Sequence, residues 1–117
     1  MSKTGLAGPY RLTFEGVECA VTRRSAGVFA LGHAAPDGRF HVHHVGRSDQ
    51  DLRVRLRDQI GSASQFKYEY HPTSRAAFER ECELFHELQP PGTRIHPDRA
   101  AGTTWECPRC RIYGHGR

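Results

Sequence analysis

The feature that most limits what this chain can fold into is a set of metal-ligand spacings placed far apart in sequence. Near the C-terminus stands Cys107-Pro108-Arg109-Cys110, and well before it a helical stretch carries Cys82-Glu83-Leu84-Phe85-His86. Tetrahedral zinc takes thiolate sulfur and imidazole nitrogen, often from a Cys-x-x-Cys turn whose backbone lets both sulfurs face one point. Residues at i and i+4 share one face of a helix, so Cys82 and His86 can reach the same ion. A metal held by both pairs pins the tail to the preceding helix. His96, followed by Pro97, is an alternative to either helical ligand, and His115 lies five residues past Cys110. The ranking is Cys107 and Cys110 first, then His86, Cys82 and His96. A redox dithiol is disfavoured because no βαβ pattern surrounds the Cys-x-x-Cys turn. Cys19 lies in an alternating apolar stretch and reads as a small core residue.

A chain of 117 residues makes one domain with a modest core, to which a structural metal adds useful stability. No apolar run approaches the roughly 18 residues a membrane span needs, and the N-terminus lacks the basic-then-apolar layout of a secretory signal. Four cysteines, two of them at ligand spacing, fit a reducing compartment better than a disulfide scaffold, so the expected location is cytoplasmic. The net charge of +4 comes from arginine, which far outnumbers lysine. Arginine forks match phosphate oxygens in a bidentate way. Arg47, Arg53, Arg55 and Arg57 form the densest block, which raises a polyanion partner without establishing one.

Residues 1–9 read as a loose start. From Tyr10 to Val21 apolar residues alternate, which predicts an N-terminal strand or short hairpin over 10–21. Val28 to Leu31 is a second apolar run. Pro36-Asp37-Gly38 is a turn signal, and alternation resumes from Phe40 to Val45, so these two strands should pair as an antiparallel hairpin. Ser48-Asp49-Gln50-Asp51 opens a helix that Gly61 closes, with Leu52, Leu56 and Ile60 as its apolar stripe. Phe66, Tyr68 and Tyr70 alternate with Lys67 and Glu69 in another strand. Thr73 or Ser74 caps a second helix that runs to about Leu88 and stops at Pro90-Pro91-Gly92.

On that second helix one carboxylate stands in the wrong place. At 100° per residue Ala77, Phe78, Leu84, Phe85 and Leu88 share one apolar arc, and Glu81 falls in its middle. Glu79, Glu83 and Glu87 point the other way. A buried ionised carboxylate is costly unless it is paired or binds a cation. A buried pair with an arginine such as Arg55 would satisfy it as well as a metal would. Histidines 41, 43 and 44 form a cluster, but alternation puts His41 and His43 on the face opposite His44, as ordinary polar surface.

The order of these residues over about 26–88 resembles the GIY-YIG nuclease superfamily. Gly27-Val28-Phe29 stands where its first signature falls and His44-Val45-Gly46 where its second falls. Arg55-Leu56 resembles the helix bearing the family's arginine, and Ala77-Phe78-Glu79-Arg80-Glu81 the helix bearing its metal-binding glutamate. The resemblance implies a small antiparallel three-stranded sheet flanked by helices, to which this chain would add an N-terminal strand and a zinc-stapled tail over 90–117. It implies phosphodiester cleavage in DNA with one Mg²⁺ or Mn²⁺ held by Glu81 and a phosphate contact from Arg55. Phe29 and His44 replace the two signature tyrosines, and Gln59 stands where several members carry His or Tyr. Histidine is a capable base near neutral pH, so His44 can take over proton removal. Phe29 cannot, which turns attention to Tyr68 or Tyr70. Arg47, Arg53, Arg57 and Lys67 would track the backbone. The expectation is thus an α+β endonuclease-like protein with structural zinc, against the alternative of an inactive zinc-stabilised module that binds nucleic acid or protein.

Overall fold

The apolar run around Val28 and the alternating stretch around Val42 form a hairpin, and the Pro36-Asp37-Gly38 turn joins them as its residues dictate. Gly38 takes φ +86° and donates its N–H to the Ala35 carbonyl at 2.9 Å, while the Asp37 carboxylate accepts from the Arg39 N–H at 3.0 Å. The computed structural model describes residues 5–93 and 96–109. In chain order it contains β1 (Ala7–Arg11), α1 (Phe14–Ala20), β2 (Ala26–Ala34), β3 (Phe40–Ser48), α2 (Leu52–Asp58), β4 (Gln65–His71) and α3 (Ser74–Leu88). The strands form one antiparallel sheet in the order β1-β4-β2-β3, so the fold is α+β with four strands rather than three.

The extra strand comes from a stretch the alternation misread. Only Ala7–Arg11 is extended, pairing with β4 as an edge strand that tolerates Pro9. Thr13 then caps a helix by accepting the Gly16 N–H at 3.0 Å. Val17 and Val21 look two-periodic with Cys19, but they are also four apart, and that spacing is the one used. Both valines are fully buried against the sheet, and Cys19 points outward to solvent. The predicted strand over 10–21 is therefore a short strand followed by a helix, and Cys19 is not a core residue.

Helices cover both faces of the sheet. On one face α1 and α2 bury Val17, Leu52 and Leu56 against Phe29, Leu31 and Phe66. On the other α3 buries Ala77 and Leu84 against Val28, Ala30 and Val45. Each large apolar side chain sealed this way contributes about 1.5–3 kcal/mol. Asp51, rather than Ser48, caps α2, accepting the Arg53 N–H at 3.2 Å; Ser48 Oγ accepts from Asp51 N–H one step earlier. The helix stops at Asp58, so Ile60 falls beyond it and is exposed. Gln89, in the left-handed region at φ 46°, closes α3 before Pro90.

Two glycines let the central strands approach closely. A methyl group on Gly27 would lie 2.4 Å from the Glu69 carbonyl oxygen across the β2–β4 pairing. A methyl group on Gly46 would lie 2.6 Å from the Phe29 ring, which crosses β3 at this register position. The Glu69 carbonyl belongs to the sheet ladder and cannot step aside. Gly27→Ala should therefore cost about 1–3 kcal/mol and lower the melting temperature by several degrees. Thermal unfolding followed by circular dichroism checks this; an unchanged midpoint would mean that the β2–β4 spacing is softer than described.

Candidate functional site

Strand β3 is an edge of the sheet, and its two faces present alternating residues to two different helices. His44 and Gly46 pair with Leu31 and Phe29 and so face the α2 side, while Val45 and Arg47 pair with Ala30 and Val28 on the α3 side. Past this edge runs the segment that follows α3. The Gly92 N–H donates to the His43 carbonyl at 2.6 Å, and the Val45 N–H donates to Thr93 Oγ1 at 3.0 Å. Between strand, helices and this strap lies a cleft of about 460 Å³. His44, Arg47, Asp49, Arg55, Glu81 and His96 are among the residues lining it.

Glu81 is buried, at 8% exposure, as its place in the apolar arc predicts. Its partner is Arg47, not Arg55: Nη1 of Arg47 donates to Glu81 Oε1 at 2.8 Å and to the Asp98 carbonyl at 2.7 Å, while Nε donates to Asp49 Oδ1 at 2.9 Å. The guanidinium also lies over the Phe78 ring, 5.1 Å from its centroid. Pairing should pull the Glu81 pKa down, yet burial outweighs it and the carboxyl stands above its ordinary value. Burial alone would lower the Arg47 pKa, but the hydrogen bonds to Asp49 and Glu81 raise it.

His44 is half-buried. Desolvation lowers its pKa, the Gly92 carbonyl raises it, and His43 and Arg55 push it down again, with a net downward shift. The ring is neutral at physiological pH. Its Nδ1 lies 2.7 Å from Thr93 Oγ1 and 3.4 Å from the Gly92 carbonyl. Phe29 is buried beneath it, with ring centroids 6.5 Å apart. Arg55 is exposed and makes no ion pair among the described residues.

Arg53, Arg57 and Lys67, expected to track the backbone, do not line this cleft. Arg53 and Arg57 both pair with Glu18 of α1. Lys67 covers the Phe40 ring on the α3 face, 5.2 Å from its centroid. Tyr68 and Tyr70 are occupied too: the Tyr68 hydroxyl donates to the Ala20 carbonyl at 2.8 Å, and the Tyr70 oxygen accepts from the Thr22 and Arg23 N–H groups. His41 and His43 are exposed, as the alternation predicts.

Behind Glu81, the next residue of α3 belongs to a second cluster. Cys82, His96 and Cys107 bring their ligand atoms within 4.8 Å of one another, an arrangement that could hold a metal ion. His96 Nδ1 lies 2.8 Å from the Pro97 carbonyl, which makes Nε2 the nitrogen suited to ligation. Burial and the neighbouring Cys107 thiol raise the Cys82 pKa, so a metal must displace a tightly held proton. His86, ranked ahead of Cys82 in sequence, is not in this group. Its ring packs against those of Phe85 and His96, at 5.4 and 5.2 Å. Cys110 and His115 lie outside the described residues.

Thr93 is the site residue that sequence reasoning missed, since a threonine after Pro-Pro-Gly carries no chemical signature. Comparison with protein-family models, curated proteins and solved structures finds no match to this chain. Among the described residues no helix is long and apolar enough to cross a membrane.

Two measurements follow from this geometry. Elemental analysis should find about one thiophilic metal ion per chain. Cys82→Ser and Cys107→Ser should each release it and lower the melting temperature, whereas Cys19→Ser should change neither; a metal-free wild-type chain would refute the cluster. The buried ion pair gives the second. Arg47→Met strands Glu81 and should cost about 3–5 kcal/mol, more than Glu81→Gln, which leaves Arg47 bonded to Asp49 and the Asp98 carbonyl. A carboxyl whose folded pKa is raised holds its proton more tightly in the folded chain, so it favours folding when protonated. That advantage is lost as pH rises from the ordinary carboxylate value through the raised one. Urea unfolding should thus find Arg47→Met destabilised more at about pH 8 than at about pH 5.

Proposed function

We propose that this protein is a cation-dependent endonuclease that hydrolyses phosphodiester bonds in DNA at the cleft beside β3. The observation that carries this reading is that His44, Arg55 and Glu81, drawn from a strand and two helices on opposite faces of the sheet, line a single cleft. They are the residues that match the GIY-YIG pattern, and one is a base, one a cation and one a buried carboxylate. We assign Glu81 to a Mg²⁺ or Mn²⁺ ion, Arg55 to the scissile phosphate and His44 to proton removal.

The residues present fit a hard cation. Magnesium is commonly held by one or two carboxylates and keeps several waters, and Glu81 with Asp49 at the same cleft offers that donor chemistry. Arg47 must yield Glu81 Oε1, and it keeps Asp49 and the Asp98 carbonyl as acceptors when it does. When bound, such an ion neutralises phosphate oxygens. His44 is neutral, and its Nε2 takes one proton from water as the water oxygen bonds to phosphorus. The bond from phosphorus to the leaving sugar oxygen breaks, and that oxygen is protonated from solvent. Arg55, exposed and unpaired among the described residues, is available to offset the charge that develops on the phosphoryl oxygens. We assign zinc to the Cys82–His96–Cys107 group as a structural ion, with Cys110 as its fourth ligand, and a reducing cytoplasm as the protein's location.

One observation favours a second reading. Glu81 is already neutralised by Arg47, so the cleft also suits a zinc-stapled module that binds nucleic acid or a protein partner without cutting. Incubation of duplex, branched and single-stranded DNA with the protein and Mg²⁺ or Mn²⁺ separates the two. Cleavage should be abolished in Glu81→Gln and reduced about 10²–10³-fold in Arg55→Ala and about 10²–10⁴-fold in His44→Ala. Cleavage undiminished in Glu81→Gln would remove the nuclease reading from this cleft, and binding without cleavage would favour the module.

A further inference from the structure

We propose that Thr93 is a positioning residue that holds His44 in the tautomer carrying its proton on Nδ1, leaving Nε2 as the basic nitrogen. The catalytic half of this proposal rests on the hydrolase reading; the tautomer itself does not. The Pro90-Pro91-Gly92-Thr93 stretch clamps the open edge of β3 on both sides of His44. Gly92 N–H bonds the His43 carbonyl on one side, and Thr93 Oγ1 accepts the Val45 N–H on the other. A turn bond from Thr93 N–H to the Pro90 carbonyl, 3.1 Å, holds the clamp in shape. It has little room to shift, because a methyl group on Gly92 would meet the His43 carbonyl oxygen at 2.7 Å.

The His44 ring therefore meets a fixed pair of groups, Thr93 Oγ1 at 2.7 Å and the Gly92 carbonyl oxygen at 3.4 Å, both from Nδ1. A carbonyl oxygen only accepts, so the contact with Gly92 is favourable when Nδ1 carries hydrogen. Thr93 Oγ1 can take that hydrogen as well, because its own hydroxyl proton has the Val45 carbonyl at 3.4 Å as acceptor. One arrangement serves the whole set: Val45 N–H donates to Oγ1, His44 Nδ1–H is shared between Oγ1 and the Gly92 carbonyl, and the hydroxyl donates back to the Val45 carbonyl. The opposite tautomer would set two lone pairs, on Nδ1 and the Gly92 oxygen, against each other. A base held through one nitrogen by a neighbouring group and working through the other is a recurrent arrangement in hydrolases.

The test uses full-length, metal-loaded protein with ¹⁵N-labelled histidine. The imidazole nitrogen shifts of His44, assigned by their loss in His44→Ala, should report a protonated Nδ1 and an unprotonated Nε2 in the wild type. Thr93→Ser should keep that pattern, while Thr93→Val should move it toward a mixture. In the cleavage assay Thr93→Val should lower kcat on the order of 10-fold or more with KM little changed, and Thr93→Ser should restore it. A wild-type ring protonated on Nε2, or a Thr93→Val ring with the wild-type pattern, overturns the positioning role. A wild-type protein that does not cleave DNA but gives the expected shifts retires the hydrolase reading alone.

Discussion

Among the described residues Glu81 is the buried acidic side chain, and the pairing with Arg47 is what makes that burial tolerable. The guanidinium is spent on four contacts at once: Glu81 from α3, Asp49 beyond β3, the Asp98 carbonyl from the strap, and the face of Phe78. One side chain of an edge strand thereby links the sheet, the last helix and the segment that follows it. Hydrophobic burial is non-directional and would let α3 slide along the sheet. The ion pair is directional, and it places Glu81 on the cleft side of the helix with Cys82 turned toward Trp105 and Cys107. The polar cleft and the candidate metal group are thus consecutive residues of one helix, each depending on the same docking of α3.

Coupling continues through the strap. His96 lines the cleft and also belongs to the metal group, and the strap reaches back to His44 through Thr93 and to Arg47 through Asp98. An ion bound by Cys82, His96 and Cys107 would tie down the far end of the segment whose near end orients His44. In a domain of this size, where the apolar core is modest, such a staple contributes to the geometry of the cleft as well as to stability.

Much of this was legible from residue patterns. The hairpin of β2 and β3 followed from an apolar run and an alternating stretch about a Pro-Asp-Gly turn, and the inward position of Glu81 followed from the 100° rotation of α3. Other features were hidden for identifiable reasons. Val17, Cys19 and Val21 satisfy a two-residue period while Val17 and Val21 alone satisfy a four-residue one, and the local Thr13 cap, which the alternation passed over, opens the helix. Cys82 and His86 share a helical face, but which of them meets Cys107 depends on how the strap returns; Cys82 does, and His96 takes the place expected of His86. Arg55 was the arginine expected near Glu81 because it lies on the matching helix. Strand parity decides otherwise, since Arg47 pairs with Val28 and so must point to the α3 side.

Parity also explains how Phe29 can stand where the resemblance expects a tyrosine. Its ring is sealed under α2, directly against Gly46, with His44 as its next neighbour on that face. A phenolic oxygen there would have to reach past Gly46 toward the cleft, and Phe29 substitutes packing for that reach. The tyrosines on β4 do not supply the missing hydroxyl. Burial and the neighbouring Tyr70 push the Tyr68 pKa up to about 12, and both oxygens are tied to the backbone at the end of α1. Under the proposed hydrolase reading the cleft offers two imidazoles, His44 and His96, and His96 belongs to the candidate metal group, which leaves His44 as the base. A site with a single base depends on that base's tautomer more than a site with two would, which is why the clamp at Thr93 matters to the chemistry and not only to the fold.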